Sequence, residues 1–454
     1  MWKIIRFCCL LAGLMSCGPR PAAKVFPFPY SIDDLPNGLR LVTVPTGFPN
    51  LVALYIVVQT GSRNEIEAGK SGFAHLFEHV MFRGTEKFPS AKYEAVMQSA
   101  GAQTNAYTTD DRTVYHAVFP REDLESILVI EADRFQNLKY SEEQFKTETR
   151  AVLGEYNKNS VNPFYKLEEA ILDTAFTRHT YKHTTMGFLR DVEDMPNQYD
   201  YSLKFFDRWY RPEYTILCVV GDVERKGTLA LVEKYFGGWK RGSYQAEIPS
   251  EPPQSEARST HVDWPTPTLS LVAVAFKAPA YDDQIQDSAV LDIAAFHAFS
   301  ENSDLYRRLL IEEQKVDLLF PDNADHIDPY LFSVTARVKQ ANDVEYVQKQ
   351  ILTTIEELRV KPIAAEKLEE VKSNLRYGFS LGMNSSARIA EILAPFVALR
   401  RTPETINNRY ALYPSITPAD VQAAARKYLV PAARTIATLS QGSGAPSPTA
   451  RKGD

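Results

Sequence analysis

The stretch Ser71-Gly-Phe-Ala-His-Leu-Phe-Glu-His-Val-Met-Phe-Arg-Gly-Thr85 sets the interpretation of the whole sequence. Its apolar residues recur at helical spacing between two glycines, so it predicts a short buried helix. His75 and His79 are four residues apart and therefore share one face of that helix. Two imidazoles on one face can bind a single metal ion, and Glu78 lies at the edge of that face, within reach of a water on the ion.

The five residues His75-Leu-Phe-Glu-His79 have the order H-x-x-E-H. This order is the inverse of the thermolysin-type H-E-x-x-H and is itself a zinc-protease signature. A pair of core histidines is the alternative interpretation. A glutamate in the same buried turn would then lack a purpose, because burying a carboxylate without a partner is costly. The pattern therefore favours a zinc site.

A catalytic zinc site needs three protein ligands and an open position for water, so one ligand must come from elsewhere in the chain. The segment 142–155 predicts a helix, and it carries Glu148 and Glu155 two turns apart on one stripe beside Val152. One carboxylate can bind the metal while the other orients a histidine. The residues alone leave open which glutamate takes which role.

These residues resemble the pitrilysin, or M16, metallopeptidase family, in its bacterial two-domain processing-protease-like branch. The resemblance covers essentially residues 27–440. It implies that Glu155 is the third ligand of one Zn²⁺ per chain and that Glu148 orients a ligand from behind. It also implies that the strand beginning Asn105-Ala106-Tyr107 pairs through its backbone with an extended substrate.

The second half of the chain repeats the order of the first at a distance of about 220 residues. The apolar run Leu269–Phe276, for example, is comparable to Leu51–Val58. Strands that alternate with long helices predict an α+β fold of two homologous domains, each a mostly antiparallel β-sheet packed against helices. The resemblance implies that this is the LuxS/MPP-like metallohydrolase fold.

We place the N-terminal domain with the zinc site at 30–240 and the C-terminal domain at 259–440. The intervening segment 241–258 is rich in proline, serine and glutamate and predicts a linker. The last residues, 441–454, are rich in serine, proline and glycine and predict a disordered tail.

The N-terminus has the composition of a targeting segment. In residues 1–16 a basic start precedes an apolar run that is too short to span a membrane. Leu14-Met-Ser-Cys17 resembles a bacterial lipobox, which predicts cleavage before Cys17, lipid attachment to it, and a tether over 17–29. A plain signal peptide and an uncleaved anchor are the alternatives. We therefore expect a periplasm-facing lipoprotein of the bacterial envelope, and Gly18 in place of aspartate favours the outer membrane.

The net charge, the cysteines and the remaining histidines argue against nucleic-acid binding and against a second metal site. The net charge of −6 argues against nucleic-acid binding. Cys218 lies in an apolar strand, so we expect it to be buried and not to bind metal. His179 and His183 have ligand spacing, but threonine and glycine flank them and no carboxylate accompanies them, which favours hydrogen bonding on a loop. The C-terminal histidines stand singly and are expected at the surface or in the core: His261, His297 and His326.

One part of the family pattern is missing. Many members carry an Arg and a Tyr, seven residues apart, that hold the substrate carbonyl, and the equivalent positions here are Leu310 and Asp317. Neither side chain can donate as Arg and Tyr do. The alternatives to a partner chain are that Arg307 and Arg308 substitute, or that the chain alone has weak activity. Because heteromeric pairing occurs in this family, we expect a second M16-like subunit, or a homodimer, to complete the site.

The sequence therefore predicts a zinc-dependent endopeptidase that acts on unstructured peptides or proteins, with Glu78 as the general base. The rival hypothesis is a non-catalytic assembly or binding subunit with the same fold. Only the missing Arg/Tyr pair favours it.

Overall fold

The computed structural model describes residues 24–442, which form two β-sheets covered by helices. The first half contributes strands β1 to β6 and helices α1 to α8. The strands are Ser31–Asp34, Arg40–Pro45, Leu51–Val58, Gln103–Thr108, Thr113–Pro120 and Thr215–Gly221. The helices are Phe73–Val80, Ser90–Ser99, Leu124–Asn137, Glu142–Ser160, Pro163–Ala175, Leu189–Asp194, Tyr199–Trp209 and Arg225–Phe236.

The second half contributes strands β7 to β11 and helices α9 to α15. The strands are Arg258–Trp264, Ser270–Lys277, Val316–Asp322, Leu331–Val338 and Arg434–Gln441. The helices are Asp287–Phe299, Asp304–Tyr306, Val344–Val360, Ala365–Leu381, Ser386–Arg400, Glu404–Leu412 and Pro418–Tyr428, and a π-helical stretch, Arg307–Glu312, continues α10.

The two sheets share one topology. The first has the order β1-β2-β6-β3-β5-β4 and the second the order β7-β11-β8-β10-β9. In each sheet one pair is parallel, β2 with β6 and β7 with β11, and every other pair is antiparallel. Apart from β1, each strand of the first sheet has its counterpart in the second. The predicted α+β fold of two homologous, mostly antiparallel domains is confirmed.

The central strands of the first sheet are apolar on both sides because both faces are covered. Seven of the eight residues of β3 and all of β6, including Cys218, are buried. One face packs against α1 and its neighbours from the first half. The other face packs against a helix from the second half. This accounts for the continuous apolar runs, because neither set of side chains meets water.

Each half of the chain contributes a helix that packs on the sheet of the other half. Helix α13 of the second half packs on β3 and β6, with Leu393 and Val397 buried in the same cluster as Val57 and Ile216. Helix α5 of the first half packs in the same way on β7, β8 and β11 of the second sheet. Each sheet therefore depends on the other half of the chain for the cover of one face.

The described end of the predicted tether is packed against the protein. Phe26 is only 1% exposed and lies in the cluster that joins the first sheet to α13. Its backbone N–H donates to Asn407 Oδ1 at 3.0 Å. The tether prediction is therefore wrong for residues 24–29, because the buried Phe26 ring holds this segment against the protein. The predicted signal segment and Cys17 lie outside the described residues.

The linker and tail differ in how they are held. Residues 240–257 form no regular element, but Glu251 accepts hydrogen bonds from the N–H groups of Thr177, Arg178 and His179, which fasten the linker to the first half. Gln441, assigned to the tail by sequence, instead closes β11. Residues 443–454 lie outside the described part. No helix within 24–442 has the length and apolarity to cross a membrane.

Candidate metal and catalytic site

The motif helix α1 is fixed at both ends. The Glu65 carboxylate accepts hydrogen bonds from the N–H groups of Gly72 and Ala74, both at 2.7 Å, and so satisfies donors that the first turn of a helix leaves free. At the other end the Tyr115 hydroxyl donates to the Phe77 carbonyl at 3.0 Å. The helix is thus locked in rotation, which fixes the direction of both motif histidines.

Three of the predicted residues meet at one point. His75 Nε2 lies 3.6 Å and His79 Nε2 3.5 Å from Glu155 Oε2. Glu155 comes from α4, which packs against α1. The ligand atoms of these three side chains all lie within 4.8 Å of one another, and no other group in the described residues could hold a metal in this way.

Glu148 approaches the same cluster from behind. Its Oε2 lies 3.5 Å from His79 Nδ1, the ring nitrogen that faces away from Glu155. Its other oxygen contacts the Arg83 guanidinium. Glu148 is 6% exposed at its side chain, against 40% for Glu155. The geometry therefore separates the two glutamates, with Glu155 at the open point between the histidines and Glu148 buried behind His79.

The donor set fits a zinc ion. Two imidazoles and one carboxylate are a usual ligand set of zinc peptidases. Burial, with the nearby His79, lowers the pKa of His75 to about 3, so the ring is neutral and a lone pair is available for a metal. His75 Nδ1 is also buried and has no hydrogen-bond partner within residues 24–442. The exposed side of Glu155 leaves room for a water and a substrate.

Glu78 lies next to this cluster and does not join it. Its Oε2 accepts a hydrogen bond from the Thr108 hydroxyl at 2.8 Å, which fixes the carboxylate against strand β4. Burial raises the pKa of Glu78, and the charge of Glu155 adds to that effect, while the Thr108 hydrogen bond and His79 oppose it. A carboxylate with a raised pKa is suited to accept and return a proton near neutral pH.

Strand β4 forms one edge of the first sheet, with its outer backbone groups unpaired by any described strand. Asn105 and Ala106 line a cleft of about 340 Å³ beside Glu78 and His79, whereas Tyr107 packs on the other face of the sheet. Among the described residues, the Ala106 N–H donates to the side chain of Asn105, at 2.9 Å. The edge is therefore open to a peptide backbone.

Comparison with known proteins identifies the family. The sequence profile of the insulinase family, peptidase family M16, matches residues 42–188, and that of the M16 inactive domain matches 198–375. The zinc protease PqqE of Helicobacter pylori is 30% identical over 373 residues, which cover 80% of this chain and 82% of that protein. The chain belongs to the M16 peptidase family. The sequence-based assignment is confirmed.

Two further M16 relatives bear on the fold and on subunit structure. A solved protease from Helicobacter pylori superposes with a TM-score of 0.85 at 26% identity, covering 91% of this chain and 99% of that one. A probable mitochondrial-processing peptidase subunit beta of Arabidopsis thaliana is 24% identical over 88% of this chain and 76% of its own length.

The positions that hold the Arg/Tyr pair in other M16 members are engaged within the second half. Leu310 packs against the second hydrophobic core, and Asp317 binds Arg337 at 2.8 Å. Arg307 contacts Asp304 and Glu312, and Arg308 donates to Gln350 at 2.7 Å. Among the described residues, the cleft beside Glu78 is lined by the first half alone.

Sequence reasoning missed two residues that shape the site. Arg83 follows His79 by four residues, and that helical spacing was a usable signal for a side chain near His79. Thr108 shares the parity of Ala106 along β4, but its bond to Glu78 depends on how the strand meets α1. His179 and His183 do form the expected hydrogen bonds, His179 with Asp328 and His183 with the Thr184 carbonyl.

Proposed function

We propose that this M16 chain is a zinc-dependent endopeptidase that hydrolyses unstructured peptides or proteins. The carrying observation is the convergence of His75, His79 and Glu155 from two helices, with the Glu78 carboxylate beside them and turned toward the cleft. A zinc ion held there would supply Lewis acidity and lower the pKa of a water in its open position.

Each residue then has one task. Glu78 accepts the proton of the attacking water and returns it to the leaving amine. Glu148 and Arg83 keep the His79 ring in the orientation that points Nε2 at the cluster. Thr108 holds the Glu78 carboxylate by its hydroxyl, which fixes Glu78 at the wall of the cleft.

The free edge of β4 supports an extended substrate. A peptide that adds as a further strand would bind backbone to backbone and require little sequence identity. Only a chain without its own secondary structure can do this, which is why we propose unfolded proteins or flexible peptides as substrates.

The test uses Glu78→Gln, which removes the base and preserves size. We expect peptide hydrolysis to fall by at least about a hundredfold, while zinc content by elemental analysis stays at one per chain. Glu143→Gln, an exposed glutamate on the first turn of α4, is the matched control and should behave as wild type. Hydrolysis by E78Q at the wild-type rate would refute the proposed base.

A non-catalytic subunit is the second candidate, supported by Leu310 and Asp317 being tied to their own half. Under the first proposal a partner supplies the missing contacts, either a second M16-like subunit or another copy of this chain. The relative named as a processing-peptidase subunit is consistent with such an assembly. Cleavage of a peptide pool, with and without chelator, by native complex and by the chain alone separates the cases. Cleavage by the complex only requires a partner, and cleavage by neither favours the non-catalytic subunit.

We further propose that the protein is anchored by lipid at Cys17 and faces the periplasm from the outer membrane. The lipobox-like sequence before Cys17 supports this placement. Labelling of cells with a fatty-acid analogue should mark the wild type and leave Cys17→Ala unlabelled. A labelled C17A variant would contradict the proposal.

A further inference from the structure

The hairpin turn at the end of strand β4 is held by hydrogen bonds from the second half of the chain. The turn, residues 109–112, connects β4 to β5, and a loop of the second half, residues 323–328, lies against it. His326 Nε2 lies 3.0 Å from Asp110 Oδ2, and the Ile327 N–H donates to Asp111 Oδ2 at 2.9 Å. We call these two segments the interdomain clasp.

Further bonds close the clasp on both sides. The Tyr181 hydroxyl donates to Asp111 Oδ1 at 2.7 Å. Asp328 accepts from Arg63 Nε at 2.5 Å and from His179 Nε2 at 3.0 Å. These contacts join three separate segments of the first half to one loop of the second.

The hydrogen bonds of His326 define its charge state. Its Nδ1 lies 2.9 Å from the Ala324 carbonyl oxygen and its Nε2 faces the Asp110 carboxylate, so both ring nitrogens meet acceptors. A neutral imidazole has only one N–H and leaves one of these contacts as two facing lone pairs. The imidazolium satisfies both. The His326 and Asp110 side chains are 10% and 17% exposed, which strengthens a charged pair.

The clasp is connected to the catalytic carboxylate through β4. Asp110 lies two residues after Thr108, whose hydroxyl holds Glu78, and four after Ala106, which lines the cleft. Because β4 is an edge strand paired on one side only, the clasp adds a second support at its end.

We propose that His326 is a positioning residue: as an imidazolium paired with Asp110, it fixes the hairpin and thereby holds strand β4 for substrate and for Glu78. The inference rests on the proposed peptidase function for its kinetic consequence. The structural consequence, a hairpin held by the pair of protonated His326 and Asp110, does not depend on the peptidase function.

The surroundings of His326 favour its charged form. The carboxylates that act on it are Asp110 and Asp111 from the hairpin and Asp322 and Asp325 from its own loop, and the rings of Tyr181 and Tyr330 pack against it. Burial alone would lower the pKa of His326, but the bond and charge of Asp110, with Asp111, raise it above the usual 6.5. The clasp is therefore complete below pH 6.5 and loosens as pH rises through the higher value in the folded protein.

The test compares His326→Gln with His261→Gln, a histidine of the same half that is exposed and bonded to Thr438. Hydrogen exchange of residues 103–112 is followed from pH 6 to 9, with rates corrected for intrinsic exchange. We expect H326Q to exchange faster than wild type at pH 6, with the difference closing as pH rises, while H261Q follows wild type. For peptide hydrolysis we expect kcat/KM of H326Q to fall about ten- to a hundredfold, mainly through a higher KM. Wild-type activity should decline as pH rises through the His326 pKa, and H326Q should lack that decline.

Unchanged exchange of 103–112 in H326Q, with an unchanged pH profile, would overturn the proposal. Asp110→Asn, which keeps the shape of the pair and removes its charge, gives the same readings if H326Q fails to fold. A wild type without chelator-sensitive hydrolysis would refute the proposed function, and the exchange data would then decide the clasp alone.

Discussion

Arg83 illustrates how much of this site depends on a residue outside the predicted ligand set. Its guanidinium contacts the buried Glu148 carboxylate, which in turn lies behind the His79 ring. Without that cation, the buried Glu148 carboxylate would lose a partner and with it the position that orients the His79 ring.

Arg83→Ala should therefore weaken zinc binding by about ten- to a hundredfold, the usual range for a residue that supports a ligand. Competition with a fluorescent chelator measures this directly. Lys146→Ala, which removes a partly exposed lysine on α4 that pairs with Glu142, should leave the affinity unchanged. Equal affinities of R83A and wild type would show that Glu148 orients His79 unaided.

At the scale of single elements, strand β4 combines an open edge with a fixed end. Its Ala106 N–H points away from the β5 ladder and toward the side chain of Asn105. A substrate backbone that adds to this edge would replace that contact.

Ala106→Pro removes this N–H while proline remains compatible with an edge strand. We expect KM for peptides to rise roughly three- to tenfold, the value of one hydrogen bond, with zinc content unchanged. Ala106→Ser keeps the donor and serves as the control in the same assay. An A106P enzyme with wild-type KM would mean that substrate binds elsewhere.

Helix α13 leads to a prediction about stability, because it packs on a sheet from the other half of the chain. Leu393 is fully buried between α13 and the first sheet. Leu393→Ala should lower the free energy of unfolding by about 2–5 kcal/mol and speed hydrogen exchange in β3 and β6. Leu381→Ala, at a residue 78% exposed, should change stability by less than about 0.5 kcal/mol. If L393A lost hydrogen-exchange protection in the second sheet only, α13 would not be stabilising the first sheet.

At the scale of the whole molecule, the two halves are joined by partly buried polar contacts as well as by helices that each half packs on the other's sheet. Asp328 of the second half binds Arg63 and His179 of the first. Burial by itself would raise the pKa of Asp328, but these two hydrogen bonds outweigh burial and lower the pKa from 3.8 to about 2.

A lowered carboxyl pKa stabilises the fold above the unfolded value and loses that contribution as pH falls through the folded value. Wild type should therefore exceed Asp328→Asn in unfolding free energy by about 1–2 kcal/mol above pH 4, allowing for the partial exposure of the pair, and the difference should shrink toward pH 2. Denaturant unfolding at pH 3 to 7 measures it, with the exposed Asp304→Asn as control. A difference independent of pH would show that the ion pair contributes through packing alone.

The sequence by itself determined the local parts of this protein. The spacing of His75, Glu78 and His79 fixes them on one helix face, since a helix places residues by their distance along the chain. The apolar runs of β3 and β8 likewise predicted buried strands, and their repetition predicted two domains. Such patterns can be recognised in the sequence because residues close together along the chain generate them.

Only the tertiary structure decided the long-range parts. It separated Glu155 from Glu148, which share one helix stripe in the sequence, because only the packing of α4 on α1 sets which carboxylate reaches both histidines. It placed α5 on the second sheet and α13 on the first, and it buried Phe26 within the predicted tether. It also brought His326 to Asp110 from 216 residues away. No periodicity encodes these contacts, since they arise from how two folded surfaces fit together.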